Sequence, residues 1–171
     1  MTYNIHPILV HFPIALLFLY SIIKILPFKK WFPNVQWNHI ERALLSFGVL
    51  GAFAADATGS LAQHLVHPNH QLVDAHSTFA AWSTFLYCIL LAGEVASVIR
   101  SEYGSKIHSK ILHKLLALCE KILCNPIFSK IVALLGFVAI SVTGLLGGTM
   151  VYGITADPLA NIVLKLLGIN L

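Results

Sequence analysis

Four long apolar segments constrain the fold of this chain more than any other feature. A membrane-spanning helix needs about 20 predominantly apolar residues, and stretches of this kind cover residues 7–26, 40–65, 75–99 and 131–152. Only 11% of the residues are charged, whereas soluble domains average about 25%. The segments therefore predict an all-α fold, an integral membrane four-helix bundle, and residues 1–171 are expected to form a single transmembrane domain.

The distribution of basic residues predicts the orientation of the bundle. Of the 11 Lys and Arg, all except Lys165 lie at or beyond the ends of the first and third segments and the starts of the second and fourth. Cytoplasmic loops carry the positive excess, so we expect these ends in the cytoplasm and both termini on the periplasmic side of a bacterial inner membrane. No Lys or Arg precedes Lys24, so the first segment lacks the charged start of a signal peptide and is expected to be retained.

Two shorter segments predict amphipathic helices outside the bundle. One is basic, with lysines between apolar residues at helical spacing: Ile107, Ile111, Leu115, Cys119 and Ile122. It indicates a helix on the cytoplasmic membrane face, with a solvated linker helix as the alternative. The other begins with Asp157 and Pro158, an N-cap pattern, followed by the apolar stripe Leu159, Ile162, Val163, Leu166 and Leu167. We expect it to be a short C-terminal helix on the outer surface.

Small residues on two predicted spans indicate close helix approach, because helices in lipid pack through Gly, Ala and Ser. They are Gly48, Ala52, Ala55 and Gly59 on the second span, and Gly144 and Gly148 on the fourth. In the first span, Pro13 cannot donate to the Leu9 carbonyl and is expected to distort the turn that holds His11.

The histidines gather at one predicted end of the bundle. Six of the nine fall at the outer ends of the spans or in the outer loop: His6, His11, His64, His67, His70 and His76. A single histidine at a membrane interface is usually a tolerated polar residue, and His70, His108 and His113 fit that description, while His39 is expected to cap or flank the second span. Polar groups inside a membrane are costly, so a group that draws on three spans favours a functional site.

An acidic residue adds to this polar end. Asp56, Ser60, Gln63 and His67 follow one another at spacings of four, three and four, so they share one helix face. We expect this polar row of the second span to descend into the bundle, with Asp56 as a metal ligand, an acceptor for a histidine N–H, or a proton carrier. The alternative is a carboxylate held by neighbouring hydroxyls. Asp74 is predicted to cap the third span and to place His76 in its first turn.

Two motifs resemble a known family. The stretch from His6 to Ile14, HPILVHFPI, is similar to the start of bacterial domain-of-unknown-function family 2231, and the GGTMVYG stretch from 147 to 153 is similar to the end of its fourth span. Thr58-Gly59 and His76 match further positions of the pattern. The positions carried over are His6, His11, His76, Gly148 and Tyr152. Many relatives have Asp shortly after the second-span glycine, where this chain has Ala62.

The resemblance implies a four-helix membrane bundle without an established activity. Some relatives are fused to Rieske-type or cytochrome c-type domains, which implies a role in electron transfer. This favours a partner such as a quinone, a cytochrome c-type protein or a Rieske-type protein, in addition to the lipid bilayer. The residues suggest no nucleic-acid partner, and a homo-oligomer is left open.

Three functions are compatible with these patterns. In the first, His11 and His76 are the axial ligands of a b-type haem, and Tyr152 bonds a propionate or a quinone. In the second, a haem-free ion of Cu, Fe or Zn is bound for sensing or transfer by a set of residues drawn from His6, His11, His76, Asp56 and His64. In the third, the protein is a non-catalytic scaffold or assembly factor. An electron-transfer or metal-binding protein fits better than an enzyme that releases a product.

Overall fold

The computed structural model of the protein describes residues 5–66, 69–155 and 157–169, and only the backbone of 64–66. Its helices are α1 (His6–Ile25), α2 (Phe28–Trp31), α3 (Trp37–Val66), α4 (His70–Tyr103), α5 (Lys110–Leu123), α6 (Pro126–Tyr152) and α7 (Ala160–Leu166). A 3₁₀ turn follows α4 at Gly104–Lys106, and these ranges contain no strand. Helices α1, α3, α4 and α6 are long and apolar enough to cross a membrane. The prediction of an all-helical membrane bundle is confirmed.

The four long helices pack as two antiparallel pairs. Helix α1 lies mainly against α3 and α4 mainly against α6, and α1 also contacts α6. This arrangement gives the bundle two unlike ends. We call the end where α1 and α4 begin the histidine end, and the end where α3 and α6 begin the basic end.

Asparagine caps place the starts of two spans earlier than predicted. The side chain of Asn69 accepts hydrogen bonds from the backbone N–H groups of Gln71 and Leu72, so α4 begins at His70 and not at Asp74. His76 therefore lies in the second turn and not in the first. Asn125 caps α6 in the same way. Such caps satisfy N–H groups that have no partner within the helix.

The small-residue face predicted on the second span packs against α1. A Cβ on Gly48 would lie 2.5 Å from Cδ2 of Leu17, and one on Gly51 would lie 3.1 Å from Cδ of Pro13. Helix α1 continues through Pro13, which is buried. On α6 the prediction holds at one position only: a Cβ on Gly144 would contact Ile14, whereas Gly148 has no neighbour within 4 Å.

A tyrosine joins three helices in the middle of the bundle. Tyr87 is fully buried, and its hydroxyl donates to the Leu17 carbonyl at 3.2 Å. Ser21 therefore donates to the Tyr87 oxygen, at 2.7 Å. The Tyr87 ring also lies over Gly136 of α6. Tyr87 thus connects α4 to both α1 and α6.

An ion network closes the basic end. We use this term for Lys24, Lys29, Glu41, Arg42 and Glu94. Glu41 lies 3.0 Å from Lys24 and 2.9 Å from Lys29, and Glu94 lies 2.9 Å from Arg42 and 3.9 Å from Lys24. The Glu41 side chain is only 3% exposed. The basic residues had been interpreted from the sequence only as orientation signals, and their acidic partners Glu41 and Glu94 were not predicted.

The two short amphipathic helices form close to the predicted positions. Helix α5 is attached to α4 through Glu120, which bonds Ser97 and Arg100. Its Leu123 lies against Gly93. Helix α7 starts at Ala160, preceded by a turn in which Asp157 accepts from the Leu159 N–H at 2.7 Å. It packs on the bundle through Ala160 and Leu164, and most of the predicted apolar stripe is exposed.

Candidate functional site

The first histidine of α1 is held against α3 in one tautomer. Nδ1 of His6 lies 2.9 Å from Oγ1 of Thr58. The single hydroxyl proton of Thr58 points to backbone carbonyls of its own helix, at 3.0 Å from Ala55 and 3.3 Å from Ala54. When Thr58 donates to one of these carbonyls it accepts from His6, and His6 then carries its proton on Nδ1. The lone pair of the neutral ring is then on Nε2.

A second histidine is held in the same way on the other helix pair. Nδ1 of His76 lies 3.0 Å from the backbone carbonyl of Thr143 on α6. A carbonyl can only accept, so His76 also carries its proton on Nδ1 and its lone pair on Nε2. A histidine that binds a metal through one ring nitrogen commonly donates its other N–H to a carbonyl or similar acceptor, which orients the ring.

His6 and His76 form the centre of the histidine end, and we call them the histidine pair. Both side chains are half-buried, His6 at the start of α1 and His76 near the start of α4. Each lies beside a glycine: a Cβ on Gly59 would be 3.6 Å from Cε1 of His6, and one on Gly147 would be 3.3 Å from Cε1 of His76. A Cβ would therefore make ordinary van der Waals contact with His6 at Gly59 and would crowd His76 at Gly147.

Three other predicted site residues lie outside the histidine pair. His11 is exposed, and its Nδ1 bonds the Pro7 carbonyl of its own helix. Asp56 is also exposed and has no hydrogen bond or ion pair within the described residues. Tyr152 is 77% exposed at the end of α6. None of the three shares the half-buried position of His6 and His76.

The polar row of the second span, which is α3, does not enter the core as predicted. Asp56, Ser60 and Gln63 are all exposed, because α3 turns its buried face, with Ala52 and Ala55, toward its neighbours. His67 and the side chain of His64 lie outside the described residues. Within the described ranges, no group of three or more His, Cys, Asp or Glu is placed to hold a metal ion.

Sequence reasoning missed the acceptors of the histidine pair. From the sequence, Thr58 was noted only because it matches a family pattern and lies close to Asp56. Thr143 acts through its backbone carbonyl, which leaves no trace in the side-chain pattern. The usable signal was the position of Thr58 beside Gly59, at the end of the small-residue face that packs against α1.

Comparison with known proteins identifies a family for this chain. A family model described as "Predicted membrane protein (DUF2231)" matches residues 2–157. No curated protein and no solved structure matches the chain.

Proposed function

Because this chain belongs to the DUF2231 family of predicted membrane proteins, which carries no assigned chemistry, we propose from its own side chains that His6 and His76 bind a transition-metal ion at the histidine end of the bundle. The observation that carries the proposal is the shared geometry: both rings contact an oxygen of the neighbouring helix through Nδ1, the arrangement in which Nε2 serves as the ligand atom. Imidazole suits Cu, Zn, Fe and Ni. We expect one of Cu, Fe or Zn.

Two imidazoles leave coordination positions open, which sets the role that we propose. Structural metal sites are usually closed by four protein ligands, whereas sites that react or exchange keep an open position. An ion held by His6 and His76 alone keeps such positions for water or for an incoming donor. This supports sensing or transfer of a metal ion rather than a structural role.

The packing of the histidine pair favours a bare ion over a haem. Each ring lies against a helix of its own pair, His6 beside Gly59 and His76 beside Gly147. A porphyrin between the rings requires a flat cavity bounded by both, and these contacts hold the rings close to the backbones of α3 and α6. Haem held by His11 and His76 stays a prediction, and the spectrum described below tests it.

We further propose that the site faces the periplasm of a bacterial inner membrane. The ion network and α5 lie at the basic end, where Lys and Arg are concentrated. The positive-inside tendency favours the cytoplasm for that end. The histidine end is then the outer end, where metal ions arrive from outside the cell.

The test is metal binding by the purified full-length protein in detergent. We expect one equivalent of Cu, Zn or Fe per chain, and H6A or H76A should weaken binding by more than the about 10–100-fold that loss of an outer-shell partner costs. H39A and H70A, which change exposed histidines, serve as controls. The proposal would be contradicted if the wild type bound no metal, or if H39A lost as much metal affinity as H6A or H76A. A Soret band, together with sharp α and β bands after reduction with dithionite, would show that the site holds haem and not a bare ion.

The hydroxyl that orients His6 gives a second, more selective prediction. Thr58→Val keeps the side-chain shape but removes the acceptor of the His6 N–H, so metal affinity should fall by about 10–100-fold. Thr58→Ser keeps a hydroxyl and should stay close to wild type. Competition titrations against a chelator of known affinity measure both. Equal affinities for the two variants would show that Thr58 does not orient a ligand.

A further inference from the structure

The ion network at the basic end carries one positive charge more than its carboxylates balance. It consists of three cations and two carboxylates: Lys24, Lys29, Arg42, Glu41 and Glu94. Of the other acidic residues at this end, Glu120 is paired with Arg100, and Glu102 makes no ion pair among the described residues. The ion network is therefore expected to attract an anion from outside the protein.

Lys29 is the cation of the network that is best placed to meet such an anion. Its side chain is 53% exposed, compared with 16% for Lys24 and 39% for Arg42. Nζ of Lys29 donates to Oδ1 of Asn38 at 2.8 Å and lies 2.9 Å from Glu41. An ammonium group has three N–H donors, so at least one of them remains for a further acceptor.

An open cavity of about 310 Å³ lies on the connection between α1 and α3, and we call it the connection cavity. Its lining includes one cation and several side chains with N–H groups: Lys29, Gln36, Trp37, Asn38 and His39. No acidic residue belongs to this lining. The indole N–H of Trp37 donates to the Phe32 carbonyl at 2.9 Å, which folds the connection back on itself. The volume is at the lower end of the range typical of ligand sites.

The connection cavity lies at the level of lipid headgroups. Helix α1 has 20 residues, which span about 30 Å, the thickness of the hydrocarbon core. The connection starts where α1 ends, so it lies just outside that core. The side chains of Trp31 and Phe32 on the connection are more than half exposed, and aromatic residues are enriched at this level of a membrane. The connection is therefore expected to contact lipid.

We propose that the connection cavity binds the phosphate of an anionic phospholipid, which supplies the negative charge that the ion network lacks. Lys29 contacts the phosphate, and the amide groups of Gln36 and Asn38 are donors for the remaining oxygens of the headgroup. A zwitterionic lipid brings its own ammonium group and leaves the surplus charge unbalanced. The site therefore selects anionic lipids, and it lies at the opposite end of the bundle from the histidine pair.

Lipid binding by the full-length protein tests this proposal. The protein is purified in detergent and titrated with phosphatidylglycerol or phosphatidylcholine, and native mass spectrometry counts the bound lipids. We expect a preference for phosphatidylglycerol, and Lys29→Gln should lower it by about 5-fold, the effect of one basic residue facing anionic lipid. Lys30→Gln removes the same charge from an exposed neighbour outside the cavity lining and should keep the wild-type preference.

Asn38→Asp provides a second variant in case Lys29→Gln fails to fold. It replaces the amide that bonds Lys29 by a carboxylate of similar shape, which balances the surplus charge within the protein. The preference for phosphatidylglycerol should fall by at least the same factor. Ser105→Asp adds an equal charge at an exposed position of the turn after α4, outside the cavity lining, and should leave the preference unchanged.

Three outcomes would overturn the proposal. One is equal binding of the two lipids by the wild type. Another is a loss of preference that is no larger in Lys29→Gln and Asn38→Asp than in their respective controls. The third is displacement of phosphatidylglycerol by millimolar inorganic phosphate but not by chloride at the same ionic strength, which would show a site for free phosphate and not for lipid.

Discussion

Replacing Glu41 by alanine is expected to lower the free energy of unfolding by about 3–5 kcal/mol, the cost of removing one partner from a buried ion pair. Glu41 is 2% exposed and faces two ammonium groups, those of Lys24 and Lys29, at 3.0 and 2.9 Å. Its loss leaves the largely buried Lys24 with Glu94 alone, at 3.9 Å. Because these contacts join α1 and the α1–α3 connection to α3, the basic end should separate first.

Unfolding in mixed detergent micelles, followed by circular dichroism against increasing dodecyl sulfate, measures the effect of Glu41→Ala. Glu102→Ala is the matched control, because Glu102 is exposed at the end of α4 and makes no ion pair among the described residues. Changes at such positions usually stay within about 0.5 kcal/mol. Losses of equal size in the two variants would show that the ion network does not stabilise the bundle.

Replacing Gly136 by valine is expected to lower the free energy of unfolding at the upper end of the about 1–3 kcal/mol that overpacking costs. A Cβ at this position would lie 2.9 Å from Cζ of Tyr87. The ring cannot move aside easily, since its hydroxyl bonds both Leu17 and Ser21. The strain must therefore separate α4 from α6 or break the hydrogen bonds to α1.

Gly148→Val on the same helix provides the comparison for Gly136→Val. Gly148 has no atom within 4 Å of an added Cβ, and both substitutions introduce the same side chain into α6. The difference between their denaturation curves isolates the contact with Tyr87. If Gly148→Val destabilised the protein as much as Gly136→Val does, helix propensity and not packing would explain the loss.

The spans could be predicted from the sequence because length and hydropathy act locally. A run of about 20 apolar residues must satisfy its backbone as a helix in lipid, whatever its neighbours are. The close approach at Gly48 was predictable for a similar reason, since lipid-embedded helices approach closely where side chains are small. Helix starts were less predictable: Asn69 and Asp74 are both good cap residues, and the choice depends on the backbone that precedes them.

The members of the histidine pair could not be chosen from the sequence. His6 and His11 are five residues apart on α1, so their side chains differ by about 140° in direction around the helix. Only one of them can face the interior, and the hydropathy pattern does not say which. The packing of α1 on α3, through Leu17 and Pro13 against Gly48 and Gly51, turns His6 inward to Thr58 and leaves His11 exposed. The rotation of α3 about its axis likewise explains why Asp56 is exposed while Thr58, on the same helix, is half-buried.

The sequence by itself determined that this protein is a helical membrane bundle with a histidine-rich end, because composition and periodicity decide which segments enter lipid. Only the tertiary structure decided which histidines turn toward a neighbouring helix, that each contacts an oxygen of that helix through Nδ1, and that Glu41 and Glu94 neutralise part of the basic end. These features depend on the rotation of each helix about its axis and on the depth at which it packs. Both are set by contacts between residues far apart in the chain.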